Sequence, residues 1–143
     1  MNKKVIIIMV EDDPGHARLI EKNLRRASIA NEILHFGDGS GVVDYFFGPG
    51  AEDHERDRIL ILLDLNLPHV GGFEVLRRLK GNAKTQRIPV IILTTTDNPR
   101  EVERCYELGC NVYITKPVEY ENFSEAIRKL GMMLEVVKVP EKQ

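Results

Sequence analysis

The chain has 143 residues, a length that suits one domain with a single sizeable core. Its 20 lysine and arginine residues stand against 22 acidic residues, and this net charge of −2 provides no global field to attract nucleic acid, so we expect no direct DNA binding. No apolar stretch approaches the roughly 20 residues that a membrane span needs, and the first apolar run is too short for a signal peptide. We therefore expect a soluble, cytoplasmic protein without membrane association.

The N-terminal part alternates short apolar runs with segments of helical period. Residues 5–10 form an uninterrupted apolar run, which is typical of a strand buried on both faces. Asp13 is predicted to cap the following helix, because Pro14 suits the first helical position, where no N–H is needed. A weaker strand is predicted over residues 31–36 and a short helix over residues 42–47.

A polar stretch then interrupts this pattern. Gly48-Pro49-Gly50 opens it, and charged residues continue it to about residue 58 without any core-forming period. We interpret it as a mobile loop within one domain rather than as a domain boundary.

The C-terminal part returns to the same alternation. Strands are predicted over residues 59–63, 89–93 and 112–115. Gly71-Gly72 precedes a helix, and Asn98 with Glu101 resembles a capping box that begins a helix over residues 99–108, which Gly109 ends. Four apolar residues at helical spacing mark the closing helix: Phe123, Ile127, Leu130 and Leu134.

Five strands that alternate with five helices predict an α/β fold with a doubly wound parallel sheet. Right-handed crossovers restrict the topology, and we predict the flavodoxin-like strand order 2-1-3-4-5. The whole chain is predicted to be one domain, with a core over about residues 4–130 and a tail over residues 131–143. Cys105 and Cys110 lack the partner spacing of a metal site and are interpreted as reduced, mostly buried thiols.

Charged side chains follow three of the predicted strands. Glu11 and Asp12 follow the first strand, Asp64 the third and Lys116 the fifth. The carboxyl ends of parallel strands meet at one rim, where open sheets of this type bind their ligands. Three carboxylates at close range repel one another, so that their pKa values rise or a cation is needed. The pattern therefore indicates a divalent-metal and phosphoryl site.

The surroundings of Asp64 strengthen this interpretation. An unpaired acid buried among leucines would cost several kcal/mol, which favours a functional role for Asp64. Asn66 is placed to supply a backbone carbonyl to a hard cation, and Mg²⁺ suits such a site best because it accepts one or two carboxylates plus a phosphate. Thr94 either faces the same rim or is present only because threonine favours strands and turns. The bond between Lys116 and Pro117 is a candidate for the cis form.

In combination, these motifs resemble those of receiver domains of two-component response regulators. The resemblance is carried by Val-Glu-Asp-Asp at the first strand end, Asp-Leu-Asn-Leu-Pro with Gly-Gly-Phe-Glu behind it, the threonine after the fourth strand, and Tyr-Ile-Thr-Lys-Pro. It covers about residues 4–130. It implies a protein that is phosphorylated by a sensor histidine kinase and that catalyses only its own phosphorylation and dephosphorylation.

The resemblance also implies a role for each site residue. Asp64 would be the phosphoacceptor, and Glu11 with Asp12 the acidic pair that holds Mg²⁺. Asn66 would offer its carbonyl to the metal, Thr94 its hydroxyl to the phosphoryl group and Lys116 its ammonium to a phosphate oxygen. Tyr113 stands at the family's aromatic switch position, although it is equally well explained as an ordinary strand aromatic.

Three features of the sequence resemble those of the small response regulators that act with phytochrome-type histidine kinases. They are the polar insertion over residues 48–58, the Asp-Asn-Pro-Arg-Glu-Val-Glu-Arg run and the lack of an output domain in the sequence. The resemblance would also allow a homodimer. The apolar stretch over residues 135–140 is predicted either to pack on the core or to pair with a second copy.

Other functions remain as alternatives. A haloacid-dehalogenase-type phosphatase also uses aspartate, threonine, lysine and Mg²⁺, but it carries its nucleophile on the first strand. A flavodoxin-like cofactor carrier needs a hydroxyl- and glycine-rich phosphate loop, whereas the acids after the first strand would repel a phosphate. A receiver-like module that binds a partner without being phosphorylated is the third alternative.

Overall fold

The computed structural model describes residues 5–51 and 58–134. Five strands alternate with five helices along these residues. In chain order they are β1 (Ile6–Val10), α1 (Pro14–Arg26), β2 (Ile33–Phe36), α2 (Gly39–Phe47), β3 (Ile59–Leu63), α3 (Gly72–Lys80), β4 (Val90–Thr94), α4 (Pro99–Leu108), β5 (Val112–Thr115) and α5 (Tyr120–Leu134). Most of the predicted loop over residues 48–58 and the predicted tail contact over residues 135–140 lie outside the described residues.

The five strands form one parallel sheet in the order β2-β1-β3-β4-β5. This confirms the predicted doubly wound α/β fold and its strand order. Val10 at the end of β1 lies opposite Phe36 of β2 and Leu63 of β3, and Thr94 at the end of β4 lies opposite Thr115 of β5. The polar residues that follow these strands are therefore brought to one rim of the sheet.

Successive residues of the central strands point to opposite faces of the sheet, and each face has its own hydrophobic core. One core packs the sheet against α1 and α5, and the other packs it against α2, α3 and α4. On the first face lie Ile7, Met9, Leu60, Leu62, Ile91 and Leu93. On the second face lie Ile8, Val10, Ile59, Ile61, Leu63, Val90 and Ile92. β3 and β4 are buried throughout, which explains why their sequences show no polar interruption.

Short-range hydrogen bonds set the ends of the helices. The carboxylate of Asp13 accepts hydrogen bonds from the N–H groups of Gly15 (2.8 Å) and His16 (3.1 Å), as its predicted capping role requires. Asn98 caps α4 by accepting from Arg100 N–H (3.0 Å), and α4 ends at Gly109, whose φ of 110° favours glycine.

Most predicted boundaries agree with the structure to within one residue, but the starts of α2 and β2 differ by more. α2 begins at Gly39 rather than at residue 42, because Asp38 caps it by accepting from Gly41 N–H (2.7 Å). Two glycines in the first turn hid this start, since glycine disfavours helix interiors. β2 covers only Ile33–Phe36 rather than residues 31–36, as expected for the short outer strand of a sheet.

Both cysteines are buried free thiols, as predicted. Burial raises the pKa of Cys105 to about 11 and that of Cys110 to about 12, so both are inert structural thiols at neutral pH. Within the described parts of the chain, no helix combines the length and the apolar character that crossing a membrane would require.

Candidate functional site

The acidic residues that follow β1 and β3 are held in place by the sheet itself. Glu11 N–H donates a hydrogen bond to the carbonyl of Phe36 (3.0 Å), and Asp64 N–H donates one to the carbonyl of Val10 (3.0 Å). Both side chains start from backbone that continues the sheet pattern one residue past the strands. Their positions are therefore set by the most rigid part of the molecule.

Lys116 joins these two acids. Its Nζ donates hydrogen bonds to Glu11 Oε1 and to Asp64 Oδ2, the latter at 3.0 Å. The three side chains are only 6%, 1% and 7% exposed for Lys116, Glu11 and Asp64 respectively. The N–H of Lys116 donates to the carbonyl of Thr94 (2.7 Å), which continues the sheet pattern past β5, and the Lys116–Pro117 peptide is cis, as the sequence allowed.

Glu11, Asp12 and Asp64 form an acidic cluster at this rim. One carboxylate oxygen from each lies within 4.8 Å of the others. Glu11 and Asp64 are buried, whereas Asp12 is exposed to solvent. Burial raises the pKa of Glu11 to about 7, and the nearby Asp64 adds to this rise, while Lys116 opposes it. Three carboxylates offer the oxygen ligands that Mg²⁺ and other hard cations prefer, so the residues fit a divalent cation.

The loop after β3 is shaped around Asp64. Asp64 Oδ1 accepts a hydrogen bond from Asn66 N–H (3.0 Å), which fixes the orientation of the carboxylate. Gly72, at the start of α3, packs directly against this loop. A Cβ atom there would lie 2.3 Å from the carbonyl oxygen of Asp64, a distance that neither backbone could tolerate. Gly72 thus allows α3 to approach the rim, whereas a Cβ atom at Gly71 would meet no other atom within 4 Å.

Thr94 lies beside this rim, and Tyr113 contacts the loop that follows β4. Thr94 is fully buried, and its Oγ1 accepts a hydrogen bond from the side-chain amide of Asn66 (3.4 Å), which also donates to Thr95 Oγ1 (3.3 Å). Tyr113, on β5, is half-buried, and its hydroxyl donates to the carbonyl of Thr96 (2.6 Å). Burial raises the pKa of Tyr113 to about 12. A single network of contacts therefore connects the rim to the loop after β4.

Two histidines also contact the site, and the sequence analysis missed both. His16 Nδ1 lies 3.0 Å from Lys116 Nζ, and His35 Nε2 lies 2.7 Å from the carbonyl oxygen of Glu11. His16 could have been found from sequence, because the first turn of a helix capped by Asp13 must start at the rim. His35 could not, because its contact depends on the pairing of β2 with β1.

Comparison with known proteins was made by sequence family and by structure. Residues 7–128 match the family model described as "Response regulator receiver domain". Response regulator Rcp1 from Synechocystis sp. is 34% identical over 140 residues, which cover 97% of this chain and 95% of that protein. The structure of its Mn²⁺-bound form matches with a TM-score of 0.73 over 95% of this chain and 99% of the other.

Two further solved structures are similar. A response regulator receiver domain from Rhodospirillum rubrum is 54% identical, with a TM-score of 0.75, and the match covers 96% of this chain and 99% of that one. The phosphorylated cyanobacterial phytochrome response regulator RcpA is 29% identical, with a TM-score of 0.74, and the match covers 97% and 100%. This chain belongs to the family of response regulator receiver domains.

Proposed function

We propose that this protein accepts a phosphoryl group on Asp64 from a sensor histidine kinase, in a Mg²⁺-dependent reaction, and signals through the resulting change of conformation. The observation that carries the proposal is the placement of the buried Asp64 carboxylate, which lies 3.0 Å from the Lys116 ammonium and within the acidic cluster. A buried carboxylate held by one ammonium and one backbone N–H is a nucleophile with a fixed orientation.

Glu11, Asp12 and Asp64, with the backbone carbonyl of Asn66, are the residues that would hold Mg²⁺. Their fit is supported by the donor set itself, in which one carboxylate oxygen from each of the three acids lies within 4.8 Å of the others. When bound, Mg²⁺ would neutralise part of the charge on the transferred group. The Mn²⁺-bound form of the relative Rcp1 is in keeping with a divalent cation in this family.

Asp64 and Lys116 would have different roles in the transfer of the phosphoryl group. An Asp64 oxygen attacks the phosphorus of the kinase phosphohistidine, so that a P–O bond forms while the N–P bond breaks and the kinase imidazole leaves with the bonding electrons. The Lys116 ammonium balances the charge that spreads over the phosphoryl oxygens. Attack by water on the aspartyl phosphate later regenerates the Asp64 carboxylate and releases phosphate, which makes the signal transient.

Thr94 and Tyr113 would transmit the change. A phosphoryl group on Asp64 offers the Thr94 hydroxyl an acceptor that the unmodified protein lacks. If Thr94 turns toward it, the hydrogen bonds that connect Asn66, Thr94 and Thr95 rearrange, and the contact between Tyr113 and the Thr96 carbonyl in the same loop is altered. The face formed by α4, β5 and α5 then changes shape as a shift between two packings.

We further propose a phytochrome-type histidine kinase as the partner of this protein. The similarity over nearly the whole chain to a cyanobacterial phytochrome response regulator supports this assignment. We also propose that the chain acts as a stand-alone regulator in the cytoplasm and forms a homodimer. Sedimentation of a chain truncated after Leu130 tests the contribution of the C-terminal tail, and an unchanged mass would show that the tail is not the dimer contact.

Labelling by acetyl [³²P]phosphate with Mg²⁺ tests the central proposal. The wild-type chain should take up one label, and Asp64→Asn should take up none. The matched control is Asp44→Asn, which removes an exposed carboxylate from α2 and should label like wild type. Full labelling of Asp64→Asn would refute the assignment. A wild-type chain that takes no label from acetyl phosphate or from a phosphorylated kinase would instead favour the interaction module that is not phosphorylated.

A further inference from the structure

The ammonium group of Lys116 has three acceptors within reach, and the mechanism above uses only two of them. Besides Glu11 Oε1 and Asp64 Oδ2, the third acceptor is Nδ1 of His16, at 3.0 Å. An ammonium has three N–H groups and no lone pair, so Nδ1 must accept this hydrogen bond. The His16 imidazole is therefore neutral in this arrangement and carries its proton on Nε2.

The three acceptors are not equivalent. Glu11 and Asp64 offer buried carboxyl oxygens, whereas the imidazole of His16 is 46% exposed. A hydrogen bond between an ammonium and a carboxylate is stronger than one between an ammonium and a neutral acceptor. Solvent weakens the His16 contact further. His16 therefore holds the weakest of the three bonds to Lys116.

The position of His16 is nevertheless well defined. His16 is the third residue of α1, and its N–H is bound by the capping carboxylate of Asp13 at 3.1 Å. The helix start thus fixes the backbone from which the imidazole reaches Lys116. Nδ1 also lies 3.8 Å from Glu11 Oε1 and 4.0 Å from Asp13 Oδ2.

We propose that His16 is a positioning residue that occupies the third N–H of Lys116 in the unphosphorylated protein and gives it up when a phosphoryl group binds. A phosphoryl oxygen can receive a hydrogen bond from Lys116 only if one of the three acceptors leaves, and the weakest acceptor leaves first. His16 thereby competes with the phosphoryl group and lowers the affinity of the site for it. This inference rests on the proposed function of Asp64.

Binding of beryllium fluoride, a non-covalent phosphoryl analogue, tests the competition in the presence of saturating Mg²⁺. The dissociation constant is measured by NMR titration for wild type, His16→Ala and His16→Asn. His16→Ala should bind about 2- to 10-fold more tightly, because it removes one competing hydrogen bond. His16→Asn should restore the wild-type affinity, since Asn Oδ1 occupies nearly the place of His Nδ1 and accepts in the same way.

Leu19→Ala serves as the matched control, because Leu19 is an exposed residue on the same helix and its loss changes no charge. It should bind beryllium fluoride like wild type, whereas a general effect of altering α1 would change its affinity as well. Equal affinities for wild type and His16→Ala, or weaker binding by His16→Ala, would overturn the proposal. The first result would mean that another acceptor leaves, and the second that His16 supports the bound group.

A direct spectroscopic readout accompanies the titration. At pH 8, the ¹⁵N shifts of the His16 ring should show a neutral imidazole protonated on Nε2 with a hydrogen-bonded Nδ1. Adding beryllium fluoride should abolish the hydrogen bond at Nδ1, and unchanged ring shifts would contradict its release. If wild type does not bind beryllium fluoride with Mg²⁺ at all, the proposed function of Asp64 fails and this inference fails with it. If wild type binds beryllium fluoride normally and the His16 substitutions do not change its affinity, only the proposed role of His16 is refuted.

Discussion

The buried strands, here called the body of the sheet, and the polar rim that follows them are adjacent in sequence. Their burial has opposite effects on the stability of the fold. β3 consists of five fully buried apolar residues, and Asp64, which follows directly, is a buried acid. Burying the apolar side chains stabilises the fold by about 1.5–3 kcal/mol each. Burying carboxylates and an ammonium opposes folding unless they are closely paired. Burial of the body of the sheet therefore stabilises the fold enough to hold the charged residues of the rim in place.

The rim itself has a rigid and a less rigid side. Glu11 and Asp64 follow central strands, whereas Tyr113 lies on the outer strand β5, which is only half-buried, and Lys116 follows that strand. The proposed nucleophile thus lies on the part of the sheet that has neighbours on both sides. Tyr113, one of the two proposed sensing residues, lies on the part with a neighbour on one side only, where a change of packing costs less. The following substitutions test these contrasts.

The largest effect on stability is expected for a truncation in the body of the sheet. Leu62→Ala removes a side chain that is 1% exposed and packs between β1 and β4, so it should lower the free energy of unfolding by about 2–5 kcal/mol. Urea denaturation measures the change. Leu19→Ala, at an exposed position, should change the free energy of unfolding by less than about 0.5 kcal/mol. Equal effects at both positions would contradict the conclusion that the buried strands supply the stability of the fold.

Lys116→Ala should have a smaller effect on stability and a larger one on signalling. Without Mg²⁺ it should lower the free energy of unfolding by about 1.5–3 kcal/mol, because Glu11 and Asp64 lose their shared charged donor. The variant should still accept phosphate slowly, but the NMR signals of Thr94 and Tyr113 should no longer respond. Lys129→Ala breaks an exposed ion pair with Glu125 and should be nearly neutral. A normal response in Lys116→Ala would count against the role of Lys116.

The smallest effect is expected at the exposed member of the acidic cluster. Asp12→Asn should leave the fold intact, since Asp12 lies in solvent, but it should weaken Mg²⁺ binding about tenfold. A full charge about 4 Å from a cation near a protein surface contributes at least ~1.4 kcal/mol. Calorimetric titration with Mg²⁺ measures the loss, with Asp44→Asn as the control. An unchanged affinity for Mg²⁺ would exclude Asp12 from the proposed metal site.

Local signals in the sequence predicted most of the architecture. The caps at Asp13 and Asn98 and the stop at Gly109 depend on hydrogen bonds between residues at most four apart, so a short stretch of sequence contains all that is needed. The uninterrupted apolar runs of β1, β3 and β4 likewise reflect burial on both faces. Two starts were misjudged: glycines obscured the Asp38 cap of α2, and β2 begins at Ile33 rather than at residue 31.

The sequence predicted which residues form the site, but not the contacts that these residues make with one another. The order of strand-end residues indicated that Glu11, Asp12, Asp64 and Lys116 would meet at one rim, and the structure does bring them together. The sequence could not distinguish Glu11, which is buried, from its neighbour Asp12, which is exposed. The Asp13 cap places His16 near the rim, but the sequence does not show that His16 contacts Lys116.

The sequence by itself determined where each strand and helix lies and which chemical groups stand at the strand ends, because those features follow from contacts between near neighbours in the chain. Only the tertiary structure decided which groups share a hydrogen bond. Lys116 reaches Glu11 across 105 residues and His16 across 100, and such contacts exist only once the strand order has been set. Burial of the whole sheet, rather than any local preference, fixes that order and with it the pairing of charges at the rim.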